Sequence, residues 1–510
     1  MPKIFFITTA IDYTNSPPHI GHAYEKVLAD VIARYHRLKG EKVFFLTGVD
    51  QHGQKVQQSA AKAGTPPSEF VKEITQKFID LWKKLGVRYD EWAETTSDRH
   101  KKVVQGILQR LFDAGQIYKD KQAGYYSVRQ EQFLTDKERG PDGQFGPEWG
   151  EVEFREEENY YFKLSQHKEW LLRYLEERKD AVIPDFRQTE LRNAVGRLSG
   201  DLCISRPKSR LDWGIELPFD KNFVTYVWFD ALTNYLTAVG FPDDREKFAR
   251  YWPADAHVVG KDITRFHCLY WPAMLLSAGL PLPRQVAVHG FITLEGQRIS
   301  KTTGNIVDPV ELVDEFGADA VRYYLLRNLS FASDGDFSRA RLIQRYNDEL
   351  AKDLGNLLNR VVTMIQRYRG GSIPAPGPTG DLEIDLQRVA TETRQQAETA
   401  LEAWEIGNAL NIIWRFVRRT NQYLEQSEPW RLASQPEKQA QLNTVLYSAA
   451  EAMRLLAVYL APFIPGASHR IMSQLGLDTV SEAAWTSEET WGSRTLTSVK
   501  AGPLLFPRYE

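Results

Sequence analysis

The chain has 510 residues, 42% of them hydrophobic, and 64 lysines and arginines against 67 aspartates and glutamates, for a formal net charge of −3. That length predicts several domains with sizeable cores, and the charge balance excludes a protein that attracts nucleic acid or a membrane surface by overall charge; any such partner has to meet local basic patches. Two cysteines far apart in sequence, Cys203 and Cys268, disfavour a disulfide scaffold or a structural zinc site and fit a reducing compartment.

No apolar run has the length of a membrane span, and the N-terminus enters a strand without a charged and apolar leader. A cytoplasmic protein with no membrane association is the expectation. Lys3 to Ile11 reads as a β-rich apolar strand, Asp12 to Pro18 as a turn-rich loop, His19 to Leu38 as a helix ending at Gly40, and Lys42 to Val49 as the next strand. Strand, loop, helix, strand is the start of a βαβ unit and predicts a parallel sheet with a nucleotide site at its carboxyl edge.

Within that opening lies "SPPHIGH", residues 16 to 22. Pro17 and Pro18 fix the helix start near His19. His19 and His22, at i and i+3, share one face of the first turn, and Gly21 leaves room for a flat base or a phosphate to approach backbone N–H groups that favour anions. The same pair could ligate a metal, although no matching cysteine, histidine or acidic cluster is nearby, or could be satisfied surface groups at a helix start.

From about Gln116 to Asn222 aromatic and charged residues mix with turn signals, as in "RGPDGQFGPEWGE" (139–151), and an inserted domain is expected. Apolar segments with short loops return from Trp228 to Met274. "GQRISKTTGN" (296–305) then gathers basic, hydroxyl and glycine residues in one loop. Such a loop can carry Lys301 onto negative charge developing on a phosphate chain and then release it; alone, it reads equally as a solvated basic turn. From Ser338 the pattern is helical almost to the end, broken by the connector "GGSIPAPGPTGD" (370–381).

"HIGH" early and "RISKT" nearly 280 residues later resemble the two signatures of class I aminoacyl-tRNA synthetases. "TTAIDYTNSPPHIGHAYEKVLAD" (8–30), "FLTGVDQHGQKV" (45–56), "VWFDALTNYL" (227–236), "GKDITRFHCLYWPAML" (260–275) and the run from His289 to Arg327 are similar to the methionyl-tRNA synthetase family in particular. The resemblance implies an α/β fold: a Rossmann-like nucleotide-binding catalytic domain (1–115 and 223–295) split by an inserted connective domain (116–222). A signature loop and stem-contact region (296–345) and an all-α helical-bundle anticodon-binding domain (346–510) follow.

By the same resemblance Ala10, Ile11, Tyr13, Asp50, Trp228, Ala231, Leu232, Tyr235, Ile263 and His267 form the methionine site. Asp50 suits the α-ammonium group, and the aromatic walls suit a thioether; Trp228 and Tyr235, seven positions apart, would otherwise read as an aromatic core stripe. His19, Gly21, His22, Gly260, Asp262 and Lys301 are assigned to ATP, taken with Mg²⁺, and His19, His22, Lys301 and Arg298 to catalysis. The implied partners are L-methionine, ATP and tRNA(Met), whose anticodon would meet Asn356, Arg360 and Trp430 through base-edge hydrogen bonds and stacking.

The sequence also departs from the family. The second signature begins with Arg298 in place of lysine and has Ile299 for methionine and Thr302 for serine; charge survives at Arg298, but a planar guanidinium is not interchangeable with an ammonium. Gln51 stands where many relatives have glutamate. Where many relatives carry zinc knuckles, "YYSVRQEQF" (125–133) has Ser127 and Gln130, so no zinc is expected, with hydrogen bonds or apolar packing holding the knuckle. The insertion looks too small for a hydrolytic editing domain, and the chain ends after the helical region, so a monomer is expected. Another HIGH-type nucleotidyl transferase or a class I synthetase with a different amino acid, and a non-catalytic tRNA-binding paralogue, are the competing readings.

Overall fold

Residues 3–127, 132–134, 136–140, 142–198, 200–294, 297–298 and 307–510 are described by the computed structural model of the chain. Gln130, Ile299, Lys301 and Thr302 lie outside the described residues, and Arg298 is described through its backbone alone. The first elements are β1 (Ile4–Thr9), β2 (Asp12–Tyr13), α1 (Ile20–Leu38), β3 (Lys42–Asp50), α2 (Gln54–Ala63), α3 (Pro67–Leu85), β4 (Glu91–Glu94) and α4 (Asp98–Asp113). They are followed by β5 (Ile117–Ser127), β6 (Gln132–Leu134), β7 (Val152–Phe162), α5 (Lys168–Glu177), β8 (Val182–Ile183), α6 (Asp185–Gly196), β9 (Leu202–Cys203), β10 (Ser205–Pro207), β11 (Glu216–Leu217) and β12 (Asp220–Thr225).

The chain continues through α7 (Val227–Ala238), α8 (Arg245–Tyr251), β13 (Ala256–Gly260), α9 (Trp271–Ser277), β14 (Val286–His289), β15 (Ile292–Leu294) and β16 (Gln297–Arg298). After α10 (Pro309–Phe316), α11 (Ala318–Asn328) and β17 (Gly335–Phe337) the chain is mostly helical as far as Gln474: α12 (Arg339–Arg345), α13 (Asn356–Arg369), α14 (Asp381–Glu402), α15 (Ile406–Ser427), α16 (Pro429–Leu432), α17 (Gln439–Leu460) and α18 (Pro465–Gln474), with the short α19 (Ala484–Ser487) in an otherwise irregular tail. The connector expected over 370–381 separates α13 from α14.

The main sheet has the order β2-β3-β1-β13-β14-β8, with β4 also on β3. All of its pairings are parallel. β1 opens with four apolar residues and is buried from Phe5 to Thr9, because both sheet faces are covered. On one side α1 continues into the C-terminal helices as a single apolar cluster; on the other lie α4, α7, α9 and the inserted segment. The chain leaves β1 for β3 on one hand and returns to β13 and β14 on the other, so the carboxyl end of β1 is the topological switch point, where α/β sheets hold ligands. β1 stops at Thr9; of the two further residues predicted as strand, Ala10 still donates its N–H to the Val258 carbonyl of β13 (3.2 Å), and Ile11 lies beyond the ladder.

The segment 116–222, predicted as one inserted unit, divides. β5 and β7 form an antiparallel ladder from Ile117↔Phe162 to Ser127↔Val152, with β6 and β9 at its edges. Val182 and Ile183, however, pair in parallel with Val286 and Ala287 and extend the main sheet. Leu171, Leu175, Leu191 and Val195 of the flanking helices share an apolar cluster with Val286 and Val288. A two-residue strand carries no periodic signal, so a sequence pattern does not reveal it.

Candidate active site

A cavity of about 400 Å³ opens where β1, β3, β13 and β14 end. Its anion-facing corner is the start of α1. His19 is the N-cap: its Nδ1 accepts from the Gly21 N–H (3.0 Å), while His22 Nδ1 accepts from the His19 N–H (3.1 Å). Each imidazole thereby satisfies a backbone donor that a helix start leaves over. Because both Nδ1 atoms accept, the proton of each neutral ring resides on Nε2. The rings lie 3.8 Å apart, and Phe78 of α3 meets His22 edge-on. A Cβ at Gly21 would come within 2.9 Å of the His19 ring, so the glycine between the histidines is a requirement of the cap as well as of ligand access. His19, Gly21 and His22 all line the cavity.

The residues expected to hold an amino acid come from four elements and meet in the same cavity. Ala10, Ile11 and Tyr13 arrive from the chain after β1, Asp50 from the end of β3, Trp228, Ala231, Leu232 and Tyr235 from α7, and Ile263 and His267 from the segment after β13. Asp50 is buried, and its carbonyl is held by the Thr14 N–H and hydroxyl, each at 2.9 Å. Trp228 stacks on Phe266 at 3.8 Å, an aromatic the sequence reading did not assign.

His267 sits in a π-helical turn, Phe266–Tyr270, a widened turn of the kind found at functional sites. Its Nδ1–H donates to the Ile263 carbonyl (3.1 Å), which leaves Nε2 to accept the Tyr235 hydroxyl at 2.7 Å. Burial pushes the imidazole down to about 4, so the ring is neutral near pH 7, and the same burial raises the Tyr235 phenol.

Two buried ionic groups under this wall were not read from the sequence. Lys26, fully buried, donates to Asp12 (2.8 Å), Glu25 (2.9 Å) and the Ala10 carbonyl (3.1 Å), and the other Glu25 oxygen lies 3.2 Å from His289. Burial raises the Asp12 carboxyl to about 7. Burial also works to raise Glu25, but Lys26 and His289 outweigh it and hold that group at about 2. The second group is Asp230, whose two oxygens bind His52 and His100, each at 2.7 Å, tying α7 to the end of β3. Burial works to raise this carboxyl too, and the two imidazoles hold it below the usual range. His52, Asp230, Glu25 and Lys26 all lie inside the quoted motifs; only their burial distinguishes them.

The opposite half of the cavity is lined by Gly260, Asp262 and the run His289–Ile292, of which only Gly260 and Asp262 were expected. Asp262 is exposed on a short 3-10 turn. Far from the cavity, Asn356 is exposed at the start of α13, Arg360 pairs with Glu425 of α15 at 2.7 Å, and Trp430, 40% exposed, follows on α16. In the knuckle, Ser127 donates to the Trp149 carbonyl at 2.5 Å, and the Arg139 guanidinium lies over Tyr125 and Phe145 at 4.7 and 4.3 Å. Among the described residues, no three His, Cys, Asp or Glu side chains are grouped to hold a metal.

Residues 5–143 and 149–362 match the model of the class I tRNA synthetases (M), and residues 373–506 match that of the anticodon-binding domain of methionyl-tRNA ligase. The chain belongs to the methionyl-tRNA synthetase family. The methionine–tRNA ligase of Caldanaerobacter subterraneus is 44% identical across the whole chain and 80% of its own length; that of Deinococcus radiodurans is 45% identical over 99% of the chain and 74% of its own. A Mycobacterium tuberculosis methionyl-tRNA synthetase solved with methionyl-adenylate superposes with a TM-score of 0.94 at 38% identity, covering 99% of this chain and all of that one.

Proposed function

We infer that the chain activates L-methionine with ATP and transfers it to the 3′ end of tRNA(Met), releasing pyrophosphate and AMP. The observation that carries this reading is the single cavity in which the Tyr235–His267 pair and Asp50 face one half while the capped histidines and Asp262 border the other. Asp50 receives the α-ammonium group. The thioether lies against Trp228, Tyr235, Ile263 and His267, whose hydrogen bond presents fixed, neutral polar atoms. Shape discrimination of this kind is worth about 1–3 kcal/mol per methylene.

The substrate carboxylate attacks the α-phosphorus in line, and the leaving pyrophosphate takes the bonding pair. The Nε2–H groups of His19 and His22, on a helix start that already favours anions, stabilise by hydrogen bonding charge that is greatest in the transition state. Gly260 and Asp262 take the ribose, and Lys301 and Arg298 the departing phosphates, following the family resemblance. The ion that accompanies ATP, Mg²⁺, comes with the triphosphate as part of the substrate.

In the second step a ribose hydroxyl of the terminal adenosine of the tRNA attacks the activated carbonyl; an ester bond forms, the mixed anhydride breaks, and AMP leaves. Asn356, Arg360 and Trp430 read the anticodon; the Arg360–Glu425 pair supports this placement, since Glu425 stands five residues before Trp430. A zinc-free knuckle, a monomer and a cytoplasmic location complete the reading. Among the described residues no helix is long and apolar enough to cross a membrane.

The test is charging of tRNA(Met) with labelled methionine by the purified chain. Methionyl-tRNA and AMP should accumulate in equal amounts; binding of tRNA without ester formation would make the chain a non-catalytic relative.

A further inference from the structure

Asp230 lies two residues after Trp228 and directly before Ala231, yet it points the other way. A turn of about 100° per residue sets Trp228, Ala231, Leu232 and Tyr235 toward the cavity and leaves Asp230 and Thr237 together on the opposite side of α7. On that side the helix is gripped by its neighbours. The two Asp230 oxygens take His52 and His100 at 2.7 Å each, His100 Nδ1 meets the Thr237 hydroxyl two turns further along (2.9 Å), and Arg99 donates to the Thr237 carbonyl.

His52 follows Asp50 by two residues, in a stretch that is fastened independently of α7. The Gln51 N–H donates to the Thr95 hydroxyl (2.9 Å) and its side-chain amide to Thr75 (3.0 Å). The Trp213 indole donates to the Gln51 carbonyl (2.6 Å), and the Gly53 N–H donates to the Trp213 carbonyl (3.1 Å). The end of β3 is thus fixed, and α7 is joined to it through His52 and Asp230. Replacing a whole buried ionic group by apolar residues often leaves stability unchanged or higher, so what this carboxylate adds is direction: two bonds at set angles, where apolar packing has none.

We propose that Asp230 is a positioning residue for the amino acid: through its two histidines it fixes the distance from Asp50 to the aromatic wall on α7, and thereby the length of side chain that the pocket accepts. Neither Asp230 nor His52 lines the cavity, so both act through the placement of α7. A wall held at one distance disfavours a side chain one methylene too long by about 10–200-fold; a wall free to move back does not.

The proposal rests on the proposed function, and methionine-dependent ATP–pyrophosphate exchange by the unaltered chain tests that reading by itself: no exchange would sink it. In D230N the KM for methionine should rise about tenfold while kcat and the KM for ATP stay within about twofold, and the preference for methionine over ethionine, which is one methylene longer, should fall about tenfold. H52N keeps an N–H donor in place of Nδ1 and should retain the preference of the unaltered chain. H52L should lose it as D230N does, which keeps the test in hand where D230N fails to fold. An unchanged methionine–ethionine ratio in D230N or H52L would overturn the proposal, and so would equal losses in H52N and H52L. A rise in the KM for ATP as large as that for methionine would also overturn it, since a residue that merely supports the fold disturbs both halves of the cavity.

Discussion

His19 holds two positions at once: it caps α1 through Nδ1 and presents Nε2–H toward the cavity corner. Asparagine is an equally good cap but lacks the second nitrogen. His19→Asn should therefore melt within a degree or two of the unaltered protein while methionine-dependent exchange falls about 10²-fold or more; a parallel loss of stability would mean that the cap was the residue's main contribution. His267 makes a pH prediction. Its folded value of about 4 lies below the ordinary 6.5, so between those values the unfolded chain binds the proton and the folded chain does not. Stability from this group is complete above pH 6.5 and is lost as pH falls toward 4, by roughly 3 kcal/mol in total. Urea unfolding at pH 7 and pH 5 should show about 2 kcal/mol of that loss, and His267→Gln should flatten it. At this scale the sequence is most legible, because the motif residues carry their chemistry with them. The Tyr235–His267 bond is not legible, since it needs a π-helical turn that no periodicity announces.

The opening βαβ unit follows from its pattern: an apolar strand, two prolines, a capped helix and a second apolar strand agree at every level. What the pattern conceals is how α1 is fastened. Glu25 and Lys26 are adjacent charges on α1, yet both are buried, because Asp12 of β2 and the Ala10 carbonyl meet Lys26 and His289 meets Glu25. Lys26→Met should cost about 3–5 kcal/mol in denaturant unfolding, since two buried carboxylates lose their cation; a cost under about 1 kcal/mol would show that water reaches them. The knuckle is the opposite case. Missing cysteines at Ser127 and Gln130 are visible in the sequence, whereas the Arg139 contacts that join β5 to the loop near Phe145 depend on tertiary packing. Strong chelation should leave the melting temperature of the chain unchanged.

Across the whole molecule, the boundary between sheet and helices is riveted rather than hinged. Arg322 of α11 is fully buried, pairs with Asp30 of α1 at 2.7 Å, and donates to the carbonyls of Leu85, Pro462 and Phe463. One side chain thus joins the helix that carries the histidine pair to α3 and to the turn between α17 and α18. Arg322→Met leaves Asp30 its Arg34 partner at 2.7 Å but takes the donor from the Leu85, Pro462 and Phe463 carbonyls, at about 1–3 kcal/mol for each one left unsatisfied, and a calorimetric scan should show whether the helical half then melts separately. The change from an α/β half to a helical one was legible from the pattern after Ser338. The return of residues 182–183 to the main sheet was not, because long-range pairing leaves no local trace.

The most direct measurement is ATP–pyrophosphate exchange by the chelator-treated chain, run in parallel with methionine, leucine, isoleucine and cysteine. Exchange with methionine alone, once Mg²⁺ is restored, is the expected result. Exchange with another of these amino acids at a comparable rate would contradict the pocket built from Asp50, Trp228, Tyr235 and His267, and activity recovered only with zinc would contradict the metal-free knuckle.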